Sequence, residues 1–178
     1  MRNATDLLAD YAAYHRDRRN IATHFFGVPM IVFAVMILLS RPAFSIAGLS
    51  LTPAWVLFAL VAPWYLTRGA VMLGLATSAM SAVMAYFGSM IAADSTTVWL
   101  ASGIGLFVTG WVIQFIGHYY EGKKPAFVDD LTGLLIGPMF VVAEWMFALN
   151  WNAAMLAEIE RRVGPTHIRD MTAARASR

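Results

Sequence analysis

The sequence predicts an all-α, polytopic membrane helix bundle, and three observations carry that expectation. Hydrophobic residues fill 59% of the 178 positions and charged residues only 13%, about half the quarter found in ordinary soluble domains. The charges that remain bound four successive uncharged runs, Asn20 to Ser40, Pro42 to Thr67, Gly69 to Ala93 and Ser95 to Tyr120. Each run is long enough to cross a hydrocarbon core of about 30 Å at about 1.5 Å per residue. The expected architecture is therefore four spanning helices, an N-terminal amphipathic helix and a C-terminal re-entrant or surface-lying helical segment. All of it forms one membrane domain, residues 1–178, with a frayed tail over 164–178.

Composition also excludes several classes. The chain has no cysteine, so a disulfide framework and a thiolate metal site are both ruled out, and any metal must sit on nitrogen and oxygen. Its net charge of +2 and pI near 9.2 come from arginines gathered at the two ends. That distribution suits juxtamembrane anchoring, and no nucleic-acid module is present. The mixed, partly acidic stretch ahead of the first apolar run is unlike the n-region of a signal peptide, so the first helix is expected to persist in the mature protein.

In chain order, residues from Thr5 to Asp17 carry Leu7, Leu8, Tyr11, Ala12, Tyr14 and His15 among charges, the pattern of an amphipathic helix with Thr5 as its N-cap. The stretch Asp17-Arg18-Arg19-Asn20 is expected to interrupt it, with Asn20 capping the first spanning helix. His15 and His24 lie nine residues apart, which puts them on opposite faces of a continuous helix at about 100° per residue. They reach one point only if the chain turns between them.

After His24 the chain enters the membrane with Gly27 and Pro29 in its first turns, and a second span is expected from about Leu49 to Thr67. Arg68-Gly69 is so short a connection that the third span must return beside the second. Small residues at Ser81, Ala85 and Ser89 in the third span and at Gly103, Gly110 and Gly117 in the fourth suit close backbone approach in lipid. Beyond a polar loop, Leu131 to Asn150 contains Gly137-Pro138, expected to break the helix, and Glu144, which is costly in lipid; a re-entrant or surface-lying course avoids both penalties. A short helix over 153–163, apolar at Met155, Leu156, Ile159 and Val163, ends at Gly164-Pro165.

The arginines near the N-terminus, together with Lys123 and Lys124, place both termini in the cytoplasm by the positive-inside rule. Four crossings return the exit of the fourth helix to the face where the first began. His118 therefore joins His24, and His15 can meet them from the amphipathic helix. Three of four histidines converge at one membrane surface, near Glu121, Asp129 and Asp130. Gln114, His118 and Glu121 share one helix face, and Asn20 and Gln114 lie one turn from His24 and His118. Ionisable groups gathered at a membrane rim point to a metal or acid–base site, and imidazole with carboxylate suits iron, zinc or copper. Four histidines without HxxxH-type boxes cannot build the two-iron centre of membrane desaturases and sterol-type hydroxylases.

Two motifs then carry a resemblance. YxxYHxxxxNxxxHxxGxP, here Tyr11, Tyr14, His15, Asn20, His24, Gly27 and Pro29, and QFIGHxxEGKKPA, here Gln114 to Ala126, together resemble the 2-hydroxy fatty acid dioxygenase family of the endoplasmic reticulum. The likeness runs from Tyr11 to Trp151. It implies a membrane-embedded, Fe(II)-dependent dioxygenase that shortens long-chain 2-hydroxy fatty acids by one carbon and releases carbon dioxide, a lipid alpha-oxidation. Carried over by position, the iron ligands would be His15, His24 and His118.

Three protein ligands would leave positions for dioxygen and for the carboxylate and 2-hydroxyl of the substrate. Lys123 and Lys124 would attract the acid head, while Glu121, Gln114 and Asn20 would act at the reacting centre, Glu121 as ligand, base or orienting group. The expected setting is an integral protein of the cytoplasmic membrane in a bacterium or of the endoplasmic reticulum in a eukaryote, in contact with membrane lipid. The rival reading is a non-enzymatic membrane protein that binds a lipid, haem or metal ion, or a small proton or ion transporter.

Overall fold

The computed structural model describes residues 2–172 and is built from seven helices: α1 (Ala4–Ala12), α2 (Arg18–Ser40), α3 (Pro53–Leu66), α4 (Val71–Ala92), α5 (Thr96–Glu121), α6 (Gly133–Ala148) and α7 (Ala153–Val163). Of these, α2, α4 and α5 are each long and apolar enough to cross a membrane. Large apolar side chains such as Val83, Phe87 and Met90 on α4 and Ile104, Val108 and Phe115 on α5 stay exposed, as lipid-facing surfaces require.

The second span is shorter than expected. Residues Phe44–Ile46 and Leu49–Leu51 pair as an antiparallel hairpin, β1 and β2, turned by Ala47 and Gly48, both with positive φ. Helix α3 begins only at Pro53, where proline suits the first helical position. Its 14 residues reach about 21 Å at about 1.5 Å per residue, less than a full hydrocarbon core.

Helix α2 is the hub, packing on α5 most extensively and also on α3, α4 and α6. Its contact with α5 is close because glycines replace side chains at the crossing. A Cβ on Gly110 would lie 2.9 Å from the Gly27 carbonyl oxygen, and one on Gly117 would overlap Thr23 and Asn20. Gly103 meets Leu38 in the same way. On α4 the buried small stripe is Ser81, Ala85 and Gly88. Gly88 packs on the α2 backbone at Ile37, whereas Ser89 turns aside to bond the Tyr86 carbonyl.

The main core sits at the histidine end, where Leu7, Leu8 and Tyr11 of α1 meet Ile136, Met139, Phe140 and Phe147 of α6 and Ile159 of α7. Helix α6 runs unbroken through Gly137-Pro138. Gly137 instead lets Tyr11 approach, with the phenol oxygen 3.1 Å from where a Cβ would stand. The chain bends at the connection after Ala148, where α6 and α7 meet at 118°.

Within the stretch expected to fray, His167 and Arg169 are tied to the turn between α1 and α2. The His167 N–H donates to the Arg16 carbonyl and the Arg18 N–H to the His167 carbonyl, both at 2.9 Å. Residues 173–178 of the expected tail lie outside the described residues.

Candidate metal centre

The turn between α1 and α2 brings the histidines together, one step earlier than the sequence suggested. Helix α1 stops at Ala12 and α2 starts at Arg18, capped by Asp17, whose side chain accepts from the Arg19 N–H. Asn20 lies inside α2 and is buried. Asn3, not Thr5, caps α1, in a reciprocal capping box with Asp6. Burial alone would raise the Asp17 carboxyl. The Arg19 guanidinium and the backbone N–H groups of Arg169 and Arg19 outweigh it and bring the pKa down to about 2.

His15, His24 and His118 each offer a ring nitrogen within 4.8 Å of the others, and all three are buried. The rings meet edge-on, with centroids 4.4, 5.0 and 5.1 Å apart. Tyr11 stacks on His15 at 4.1 Å, fixing the plane of that ring.

Hydrogen bonding decides which nitrogens face inward. His15 Nδ1 donates to the Tyr11 carbonyl at 2.7 Å and His24 Nδ1 to the Asn20 carbonyl at 2.8 Å; a carbonyl only accepts, so both Nδ1 atoms carry the proton. In the neutral rings, Nε2 of His15 and Nε2 of His24 are then lone pairs facing each other at 3.0 Å. Such a pair repels unless a cation or a proton lies between. Burial, reinforced by the neighbouring His24 and His118, holds the His15 imidazole well below its ordinary pKa, which disfavours the proton. Nδ1 of His118 is buried without a hydrogen-bond partner. Converging imidazoles, those of His15 and His24 each backed by a carbonyl on the opposite nitrogen, are what a metal ion asks of histidine ligands. The trio can hold one.

The neighbouring residues divide by what they touch. Glu121 directs its carboxylate at the turn, accepting from the N–H groups of Arg16 (3.0 Å) and Asp17 (2.8 Å) and from Asn20 Nδ2 (3.1 Å). Asn20 Nδ2 also donates to the Tyr14 carbonyl. Gln114 lines the cleft beside His24 and His118, with its buried Oε1 unpartnered. Lys123 and Lys124 do not line that cleft: Lys123 Nζ donates to the Ala13 carbonyl at 2.7 Å, and Lys124 pairs with Asp129, which also accepts from the Tyr14 hydroxyl. Asp130 bonds Thr132, so neither aspartate joins the histidines. Two contributors were missed in the sequence: the Tyr11 ring and carbonyl, and the segment around His167 and Arg169 that braces the turn. The second came from backbone pairing, which leaves no mark in residue type.

The cleft beside the histidines, between α2, α5 and α6, has a cavity volume of about 60 Å³. Through Tyr11, Ala126 and Gly133 it shares walls with a polar mouth bounded by Arg2, Asp10, Tyr14, Asp129 and Asp130. Through Ile31, Val32, Trp111, Leu134 and Pro138 it shares walls with an apolar cleft. The histidines thus stand between polar and apolar space.

No solved structure matches the chain. Over 156 residues, 86% of this chain and 85% of the other, it is 30% identical to the 2-hydroxy-palmitic acid dioxygenase MPO1 of Saccharomyces cerevisiae. A family model described as 2-hydroxy-palmitic acid dioxygenase Mpo1-like matches residues 1–149, a span that holds all three converging histidines and the residues that orient them. The chain belongs to the Mpo1-like family.

Proposed function

We propose that the protein is a membrane-embedded, Fe(II)-dependent dioxygenase that converts a long-chain 2-hydroxy fatty acid and dioxygen into the acid one carbon shorter, carbon dioxide and water. The observation that carries this reading is the inward-facing histidine trio placed between a polar mouth and an apolar cleft, the site an amphiphile needs. The yeast relative's name supplies the reaction class. In the balance, the bond between C1 and C2 breaks, C1 leaves as carbon dioxide, and C2 becomes the new carboxyl carbon. Dioxygen takes up the four electrons and its oxygens appear in the products.

A ferrous ion bound by His15, His24 and His118 would supply the open positions and the electron donation that dioxygen chemistry requires. The protein's own groups do the rest. The Tyr11 and Asn20 carbonyls keep Nε2 of His15 and of His24 unprotonated. Glu121 and Asn20 are positioning residues that hold the His15 turn against α5. Gln114 Oε1 is available to accept a hydrogen bond from the 2-hydroxyl. Lys123, beside the Ala13 rim of the mouth, attracts the carboxylate on arrival, with Lys124 contributing at longer range. Both termini lie on the cytoplasmic side.

The test is metal analysis of protein purified in mild detergent, followed by mass spectrometry of products after incubation with ferrous iron, dioxygen and 2-hydroxy acids of several lengths. The expected product is the acid shortened by one carbon, with the unhydroxylated acid inert. Absence of a shortened acid at every length would favour lipid or metal binding without turnover.

A further inference from the structure

We infer that the apolar cleft beyond Trp111 seats the acyl chain of the substrate, and that Met36, Leu57 and Phe107 at its far end set the chain length accepted. This deepens the dioxygenase reading and rests on it. The cleft has a cavity volume of about 390 Å³ and shares five wall residues with the space beside His24 and His118. Its two hydroxyl groups are already committed: Ser81 donates to the Thr77 carbonyl and Tyr65 to the Leu135 carbonyl, both at 3.0 Å. With both hydroxyls used internally and the other lining side chains apolar except for the Trp111 indole, the wall suits a hydrocarbon.

The lining retreats from the histidines along two helices at once. On α2 it passes from His24 through Val28 and Val32 to Met36; on α5, from His118 through Gln114 and Trp111 to Phe107. These positions recur every three or four residues, so each set forms one face. Met36 also belongs to a separate buried cluster with Ala54 and Ala85, against which Leu57 packs, and this cluster closes the far end.

The path has a definite reach. Twelve residues separate His24 from Met36, about 18 Å at about 1.5 Å per residue. A zigzag chain of carbons bonded at about 1.5 Å advances about 1.3 Å per carbon, so roughly fourteen carbons fit. Adding the carboxyl and hydroxyl-bearing carbons held at the histidines gives an acid of about sixteen carbons.

Two measurements test the assignment. Leu57→Trp fills the far end and should lower kcat/KM for the sixteen-carbon 2-hydroxy acid relative to the twelve-carbon acid by about tenfold or more, because a methylene that no longer fits costs on that scale. Met36→Ala should move the preference the other way. Independently of turnover, a sixteen-carbon 2-hydroxy acid with a terminal diazirine, photolysed with the wild-type protein, should label peptides containing Met36, Leu57 or Phe107. Labelling confined to the outer faces of α4 and α5, or an unchanged chain-length profile in both folded variants, overturns the acyl-chain assignment even if the shortened acid is formed. Labelling at Met36 without any shortened product would keep the assignment and remove the dioxygenase reading.

Discussion

Glu121, in the last turn of α5, accepts the backbone N–H groups of Arg16 and Asp17 at 3.0 and 2.8 Å, so the helix that presents His118 also grips the turn that presents His15. The two ligands are 103 positions apart in sequence, and one carboxylate couples their positions. Glu121→Ala leaves buried amides without an acceptor, a loss of about 1–3 kcal/mol, and should weaken metal binding about ten- to a hundredfold, as loss of an orienting partner does. Glu121→Gln retains one acceptor and should fall between. Metal titration by calorimetry checks the order; a complete loss of the metal in Glu121→Gln would instead make the carboxylate a ligand.

His118 and Gln114 share a helix face but should fail differently. His118→Ala should abolish metal binding and turnover while leaving the bundle folded, since the ring faces the cleft. Gln114→Ala should keep the metal and raise KM for 2-hydroxy acids about three- to tenfold, the worth of one neutral hydrogen bond. Metal content and steady-state kinetics on the same preparations separate the two.

Acid should release the site before it unfolds the helices. The His15 pKa lies well below the ordinary 6.5 because of burial first and the neighbouring histidines second. The opened turn therefore binds a proton that the closed turn refuses. Stability from this group is complete above about pH 6.5 and is lost as pH falls below it. Metal binding needs the neutral imidazole and weakens in the same direction. Thermal unfolding across pH 5 to about 8 should show the decline, and His15→Gln should flatten it.

The crossing of α2 and α5 should tolerate no side chain at Gly110. A Cβ there would lie 2.7 Å from Ile31 Cγ1 and 2.9 Å from the Gly27 carbonyl oxygen. Gly110→Val should destabilise the protein by about 1–3 kcal/mol and weaken metal binding, because the two helices carry His24 and His118. Gly105→Ala, on the same helix with open space around it, should be neutral or slightly stabilising. Detergent melts of the two variants provide the comparison.

The membrane class, the runs underlying α2, α4 and α5, and the meeting of His15, His24 and His118 were legible in the sequence. Hydropathy and helical periodicity are local properties, and the parity of four apolar runs brings the two ends of the bundle to one face. The need for a turn between His15 and His24 followed from a nine-residue spacing alone. Its position did not, because Asp17 and Asn20 are both good N-caps and the choice fell to Glu121, Arg169 and His167, which arrive from more than 100 positions away. The β1–β2 hairpin that shortens α3, the continuity of α6 through Pro138 and the aim of the Glu121 carboxylate at amides rather than at the histidines were likewise tertiary decisions. Each depends on which backbone donors and acceptors remain unpaired once the helices pack, and residue type alone does not contain that information.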